Sequence, residues 1–317
     1  MPERAERLRV WLAFACIWFI WGSTFLVIRF AIVGIPPLLM CGLRLVLAGG
    51  LLLAYAALTG APWPRGREWR NAALIGVLLP GVGNGGVTVA EVHVPSGLVA
   101  LLVATIPLWM ALLTWRGRDA APLGRRAVFG LALGFAGIVL LLGPGAGGGG
   151  HAIEPVWALV PILGSLSWAW GSLWSRRAAM PHSPVMSTAV GLAAAGVVLL
   201  ILSAGAGDFG RWHPGSTPAS AWASLLYLSV FGSVIGFGAY LFLLRRVAPS
   251  IVATYAFVNP VVAMILGSLL GGETLAPRTL AAAAVVLLAV VLITTAPPLA
   301  RGSAVPTHAG TAPARRP

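Results

Sequence analysis

Apolar runs alternate with short polar linkers along almost the whole chain. A helix that spans a bilayer needs roughly 20 predominantly apolar residues. Ten runs fit that length: 10–29, 37–58, 71–92, 96–115, 126–142, 155–174, 184–204, 219–244, 250–270 and 277–296. The pattern predicts an all-α membrane protein with ten transmembrane helices. The stretch 77–101, VLLPGVGNGGVTVAEVHVPSGLVAL, departs from its neighbours. It is apolar, yet it carries Pro80, Gly81, Gly83, Gly85 and Gly86, with Asn84, Thr88 and Glu91 among them. A bilayer segment tolerates a broken, polar backbone only where it is buried in protein or lines a water-filled cavity. The stretch therefore reads as one wall of a transport pathway.

The runs repeat. Trp21-Gly22-Ser23 returns as Trp170-Gly171-Ser172, and Val94-Pro95-Ser96 as Ala248-Pro249-Ser250. Pro107 matches Pro260, and Arg126 matches Arg278, all at offsets of 149 to 154 residues. On this register Glu91 falls opposite Arg245. Two copies of a five-helix unit follow, over 10–144 and 155–296, between an N-terminal arm at 1–9 and a tail at 297–317. Five is odd, so the copies insert with opposite orientation. Inverted repeats of this kind place a substrate site near the bilayer midplane, at the interface between the halves.

Composition agrees with lipid. Of 317 residues, 58% are hydrophobic and 9% charged, against roughly 25% charged in soluble domains. The net charge of +13 does not point to nucleic acid, because the arginines fall in the linkers. With ten crossings, seventeen of the 21 arginines lie on one face, which the positive-inside rule makes cytoplasmic, together with both termini. The first run reads as a retained helix and the Pro/Gly/Ala/Thr-rich tail as disordered. The chain has no lysine, so Walker A, Schiff-base and lysine-base chemistry are excluded. Cys16 and Cys41 lie within apolar runs and read as small core residues. The five histidines show no metal-ligand spacing, and no cofactor is implied.

The motifs resemble the EamA type of the drug/metabolite transporter superfamily, and within it the YedA-like inner-membrane exporters. They are WGSTFLVIR (21–29), PPLLMCGLR (36–44), NAALIG (71–76), VGNGGVTVAE (82–91), VPSG (94–97), ATIPL (104–108), SWAWGS (167–172), FGSVI (231–235), AY (239–240), ATYAFVNPVVA (253–263) and GGETL (271–275). Each is short; their order carries the resemblance. It implies ten helices, two EamA repeats and ATP-independent efflux of small metabolites, amino acids or drugs across the bacterial inner membrane. The Gly-rich loop Gly145–Gly150 has no counterpart among these motifs.

Each candidate residue has two readings. Glu91 binds a cationic cargo group or takes up a coupling proton; otherwise it pairs with Arg29 or Arg44, or caps the turn at Pro95. Arg44 contacts a cargo carboxylate, or snorkels outward, or pairs with Glu91. Arg29 ends its helix as a snorkelling anchor. Asn84, Thr88 and Glu91 share a helix face, the best indication of a cavity lining. Asn259 beside Pro260 bonds cargo or satisfies a freed carbonyl. Trp21 and Trp170, related by the repeat, are pocket walls or belong to the interfacial belt, where Trp11, Trp63, Trp69, Trp115, Trp174 and Trp222 fit. Ser23 and Tyr255 complete the expected substrate site. Glu273 is expected to start the tenth helix. Glycines spaced by four, as in Gly130/Gly134, Gly232/Gly236 and Gly267/Gly271, fit close helix packing and leave a homodimer open. The function expected is a secondary exporter of a small molecule by alternating access, coupled to protons or not. A membrane-embedded lipid-modifying enzyme and a passive channel are the competing readings; the apolar runs lack the clustered acid, base or metal residues an enzyme needs.

Overall fold

The computed structural model describes residues 2–116, 124–142, 154–244, 246–247, 252 and 255–295. The Gly145–Gly150 loop, the tail from 297, and Arg245, Pro249 and Ser250 lie outside them. Helices account for the described secondary structure, with no strand among these residues. They are α1 (Arg4–Ala31), α2 (Pro37–Leu58), α3 (Arg67–Ala90), α4 (Ser96–Trp115), α5 (Arg125–Leu142), α6 (Pro155–Ser175), α7 (Pro184–Gly205), α8 (Ala219–Tyr240), α9 (Tyr255–Leu270) and α10 (Pro277–Thr294). Eight of them, all but α5 and α9, are long and apolar enough to cross a membrane. Residues 4–9, within the expected N-terminal arm, are helical and open α1. Glu6 there meets Arg246 Nε at 2.6 Å.

Local sequence sets the boundaries. Pro37, Pro155, Pro184 and Pro277 each sit in the first turn of a helix, where the missing N–H removes nothing. Ser183 adds a side-chain cap, its hydroxyl accepting from Met186 N at 3.3 Å. Large apolar side chains cover the outside: Leu47, Leu51, Leu163, Ile201 and Leu269 are exposed. Such a surface has no place in water and fits lipid. Small residues face inward instead, as expected where helices associate without a hydrophobic drive. Gly76 of α3 and Gly191 of α7 meet backbone to backbone.

The packing has an exchange symmetry. α1 packs on α8 and α9, and α6 correspondingly on α3 and α4. α2 packs on α8, and α7 on α3. α2 also pairs with α7, α4 with α9, and α5 with α10. Adding five to the number of each helix, counting round from ten to one, exchanges the first three pairs of contacts and maps each of the last three onto itself. The backbone repeats the rule. α3 passes through a π-helical stretch at Val77–Asn84, and α8 through one of equal length at Leu228–Ile235. Pro80 removes a donor within the first. In the second, Ser233 Oγ donates to Leu228 O, five residues back, at 3.1 Å. Segments of this kind widen a helix and frequently mark functional sites.

Candidate functional site

Both widened segments border one central cavity of about 100 Å³. Residues from α1, α2, α3, α4, α6, α8 and α9 line it. The lining is mostly apolar and aromatic, with Trp21, Phe25, Trp168, Phe237 and Tyr255 as its rings. Thr24, Asn84, Ser165 and Asn259 supply neutral polar groups, and Arg44 carries the charge. A larger cavity of about 810 Å³ lies toward the end of the bundle that carries Arg176 and Met180. Ile106, Trp168, Phe237 and Tyr255 border both cavities and form the partition between them.

Glycines admit the walls. A Cβ on Gly83 would lie 2.8 Å from Trp168 Cε3, and one on Gly236 would overlap the Trp21 indole. Trp21 is held further by donating from Nε1 to Gly232 O at 3.0 Å. Its ring meets Phe237, Tyr240 and Tyr255. Asn84 lines the cavity, and its amide makes no hydrogen bond to the described residues. Asn259 lines the cavity and also bonds backbone, here of α1. With its nitrogen turned toward α1, it donates to Ile17 O (3.2 Å) and Trp18 O (3.1 Å). These carbonyls belong to the π-helical turn Cys16–Ile20.

Trp21, Asn84, Tyr255, Asn259 and Arg44 thus come together as the sequence suggested. Other expected residues do not. Trp170 is 60% exposed on the outer surface of α6. The repeat register pointed to it, but helix rotation brings Trp168, two residues earlier, to the cavity. Pro161, Gly164, Ser165 and Trp168 share a face at spacings of three and four; that pattern was present in the sequence. Replacing Trp168 with alanine is expected to weaken cargo binding about tenfold, and Trp170→Ala to leave it within about twofold, as measured by titration of the purified protein. Thr88 is fully buried and donates to Asn84 O at 2.8 Å, away from the lining. The Ser23 hydroxyl donates to Ile20 O at 2.8 Å and shares a hydrogen bond with Tyr227 Oη at 2.8 Å, also outside the lining.

The charged groups pair in a way not foreseen. Glu273 does not start α10, whose N-cap residue is Ala276. Its buried carboxylate accepts from Ser96 N (2.7 Å), Ser96 Oγ (2.7 Å) and Gly97 N (3.1 Å), the first turn of α4. Arg29 Nη1 of α1 completes it at 2.5 Å. A Cβ on Gly267 would lie 2.6 Å from Glu273 Oε2, so α9 must be bare there. Four parts of the chain are thereby joined at the arginine-poor end of the bundle. Glu91 is buried nearby, and neither of its oxygens has a hydrogen-bond partner among the described residues. It pairs with neither Arg29 nor Arg44. No group of His, Cys, Asp and Glu among the described residues could hold a metal ion.

A helical membrane bundle with a central cavity between matching sets of helices has the build of a transporter. The chain belongs to the EamA-like transporter family, whose model matches residues 9–143 and 155–295. It is 43% identical to the "uncharacterized inner membrane transporter YedA" of Escherichia coli K12, over 83% of each chain. It is 29% identical to the uncharacterized transporter YvbV of Bacillus subtilis, over 88% of this chain and 89% of that one. A "probable amino-acid metabolite efflux pump" of Salmonella typhimurium is 28% identical over 83% of this chain and 87% of its own. A crystal structure matches with a TM-score of 0.62 at 18% identity, covering 90% of this chain and 98% of that one, and shares the fold.

Proposed function

We propose that this protein is a secondary exporter of the bacterial inner membrane that carries a small molecule outward by alternating access, without ATP. The observation that carries the reading is the central cavity, bounded by helices of both halves and separated by Trp168, Phe237 and Tyr255 from a wide vestibule. Glu273 binds the opposite end together. This arrangement supports a state that loads from the vestibule side. The arginine distribution makes that side cytoplasmic, with both termini on it. Ten crossings, as two inverted units over 10–144 and 155–296, are supported by the exchange symmetry of the packing and by the matching π-helical stretches. The transporter names of the relatives point the same way, and away from an enzyme.

Glu91 is the coupling residue in this reading. It is a buried carboxyl that no donor holds. The charges acting on it are those of Glu273, Arg29 and Arg44; His93, two residues on, is stacked against Trp157. Uptake of radiolabelled amino acids, organic acids and cationic drugs into inside-out vesicles, with and without a pH gradient, tests the whole. Saturable uptake of at least one compound is expected, whereas unsaturable flux would mean a channel. Glu91→Gln is expected to cut uptake about tenfold and to flatten its dependence on pH while leaving the protein inserted. An unchanged pH profile in that variant would remove Glu91 from coupling.

A further inference from the structure

We propose that the cargo is an organic anion with an aromatic or branched apolar body, seated with its negative group on Arg44. The inference rests on the central cavity being the cargo site. Arg44 is buried and is the charged residue of the lining. Its Nε donates to Ser233 Oγ at 3.0 Å. Gly232 leaves room for the guanidinium, since a Cβ there would stand 3.1 Å from Nη2. Both terminal nitrogens are without a hydrogen bond to the described residues. One edge of the fork is therefore fixed and the other two corners are free. That leaves a planar donor pair of the kind that matches a carboxylate or sulfonate.

Buried charges in proteins are paired. The buried carboxylates of Glu273 and Asp208 have Arg29 and Arg211. Among the described residues Arg44 has no carboxylate within ion-pair distance; the acid whose field reaches it is Glu91, which lies outside the lining. An anionic cargo supplies the missing counter-charge. Among the described residues no acidic side chain lines the cavity, so an ammonium group would find no partner there and would sit beside a like charge. The rings of Trp21, Phe25, Trp168, Phe237 and Tyr255 surround the remaining space and suit an apolar body. An anion leaving an inside-negative cell also moves down the membrane potential, which suits a protein built for export.

Calorimetric titration of the full-length protein in lipid nanodiscs tests this with four compounds of one body: 3-phenylpropionate, phenylalanine, phenethylamine and the neutral 3-phenylpropanol. The carboxylate is expected to bind about tenfold more tightly than the zwitterion or the amine. Arg44→Gln is expected to abolish that preference while the alcohol binds as before, which reports an intact cavity. Tighter binding of phenethylamine or phenylalanine would overturn the anion assignment while leaving the transporter reading in place. So would a preference for the carboxylate that survives Arg44→Gln, or binding of none of the four. The wild-type comparison decides the matter by itself if the variant fails to accumulate. Failure of the transporter reading shows separately, as absence of saturable uptake of any compound in vesicles.

Discussion

Replacing Glu273 with glutamine is expected to release the arginine-poor end of the bundle and to stop transport. One carboxylate there receives two backbone N–H groups, a hydroxyl and a guanidinium. Removing one partner of a buried ion pair costs about 3–5 kcal/mol, because the other charge is left without compensation. Arg29 is 40% exposed at its side chain and recovers part of that from water. The backbone donors of Ser96 and Gly97 cannot, since those residues are buried. Glutamine keeps the shape but offers one acceptor oxygen and two donors that face other donors. The expected result is a protein that still inserts, with a lowered melting temperature and uptake reduced about a hundredfold, consistent with the loss of roughly 3 kcal/mol. A cysteine in place of the buried Val94, at the same end, should become reactive to a membrane-impermeant maleimide in this background only. If it is equally protected in the variant, Glu273 does not close that end. Arg29→Gln should be milder, because three of the four donors remain.

The second large effect falls on the contact between α3 and α7. Gly76→Leu is expected to prevent accumulation of folded protein. A Cβ at Gly76 would overlap the Gly191 backbone, and backbone cannot rotate out of the way. Overpacking in a core costs about 1–3 kcal/mol even where side chains can yield. Gly50→Leu is the control: nothing lies within 4 Å of its Cβ position. It adds the same apolar bulk to the surface and should leave stability within about 0.5 kcal/mol. Size-exclusion profiles of tagged variants in mild detergent distinguish the two. Equal profiles would mean that the α3–α7 contact can open to admit a side chain.

The transporter class was legible in the linear pattern, and so was much of the cavity. Long apolar runs, arginine-laden linkers and a repeat near 150 residues are one-dimensional features that need no folding to be seen. Asn84 and Arg44 stood out for a similar reason. A polar or charged group inside an apolar run is costly in lipid, and so signals a packed or wet surroundings wherever it occurs. Trp168 did not stand out, because tryptophan is common in membrane proteins and carries no such cost. The choice between Trp168 and Trp170 depended on the rotation of α6, which its neighbours set. Glu273 was misplaced for another reason. Its sequence position, just before α10, suggested a local cap, whereas its partners Ser96 and Gly97 lie more than 170 residues away.

By itself, then, the sequence determined that this chain is a helical membrane protein of repeated construction, because lipid selects length and hydropathy, which are properties of segments. Tertiary structure alone decided which polar groups meet. Among the described residues it tied Arg29 to Glu273, left Glu91 without a donor, and turned Arg44 into the cavity with two free nitrogens. Those outcomes depend on how the helices rotate and approach. Both are governed by small residues on each pair of facing surfaces, and neither surface alone specifies its partner.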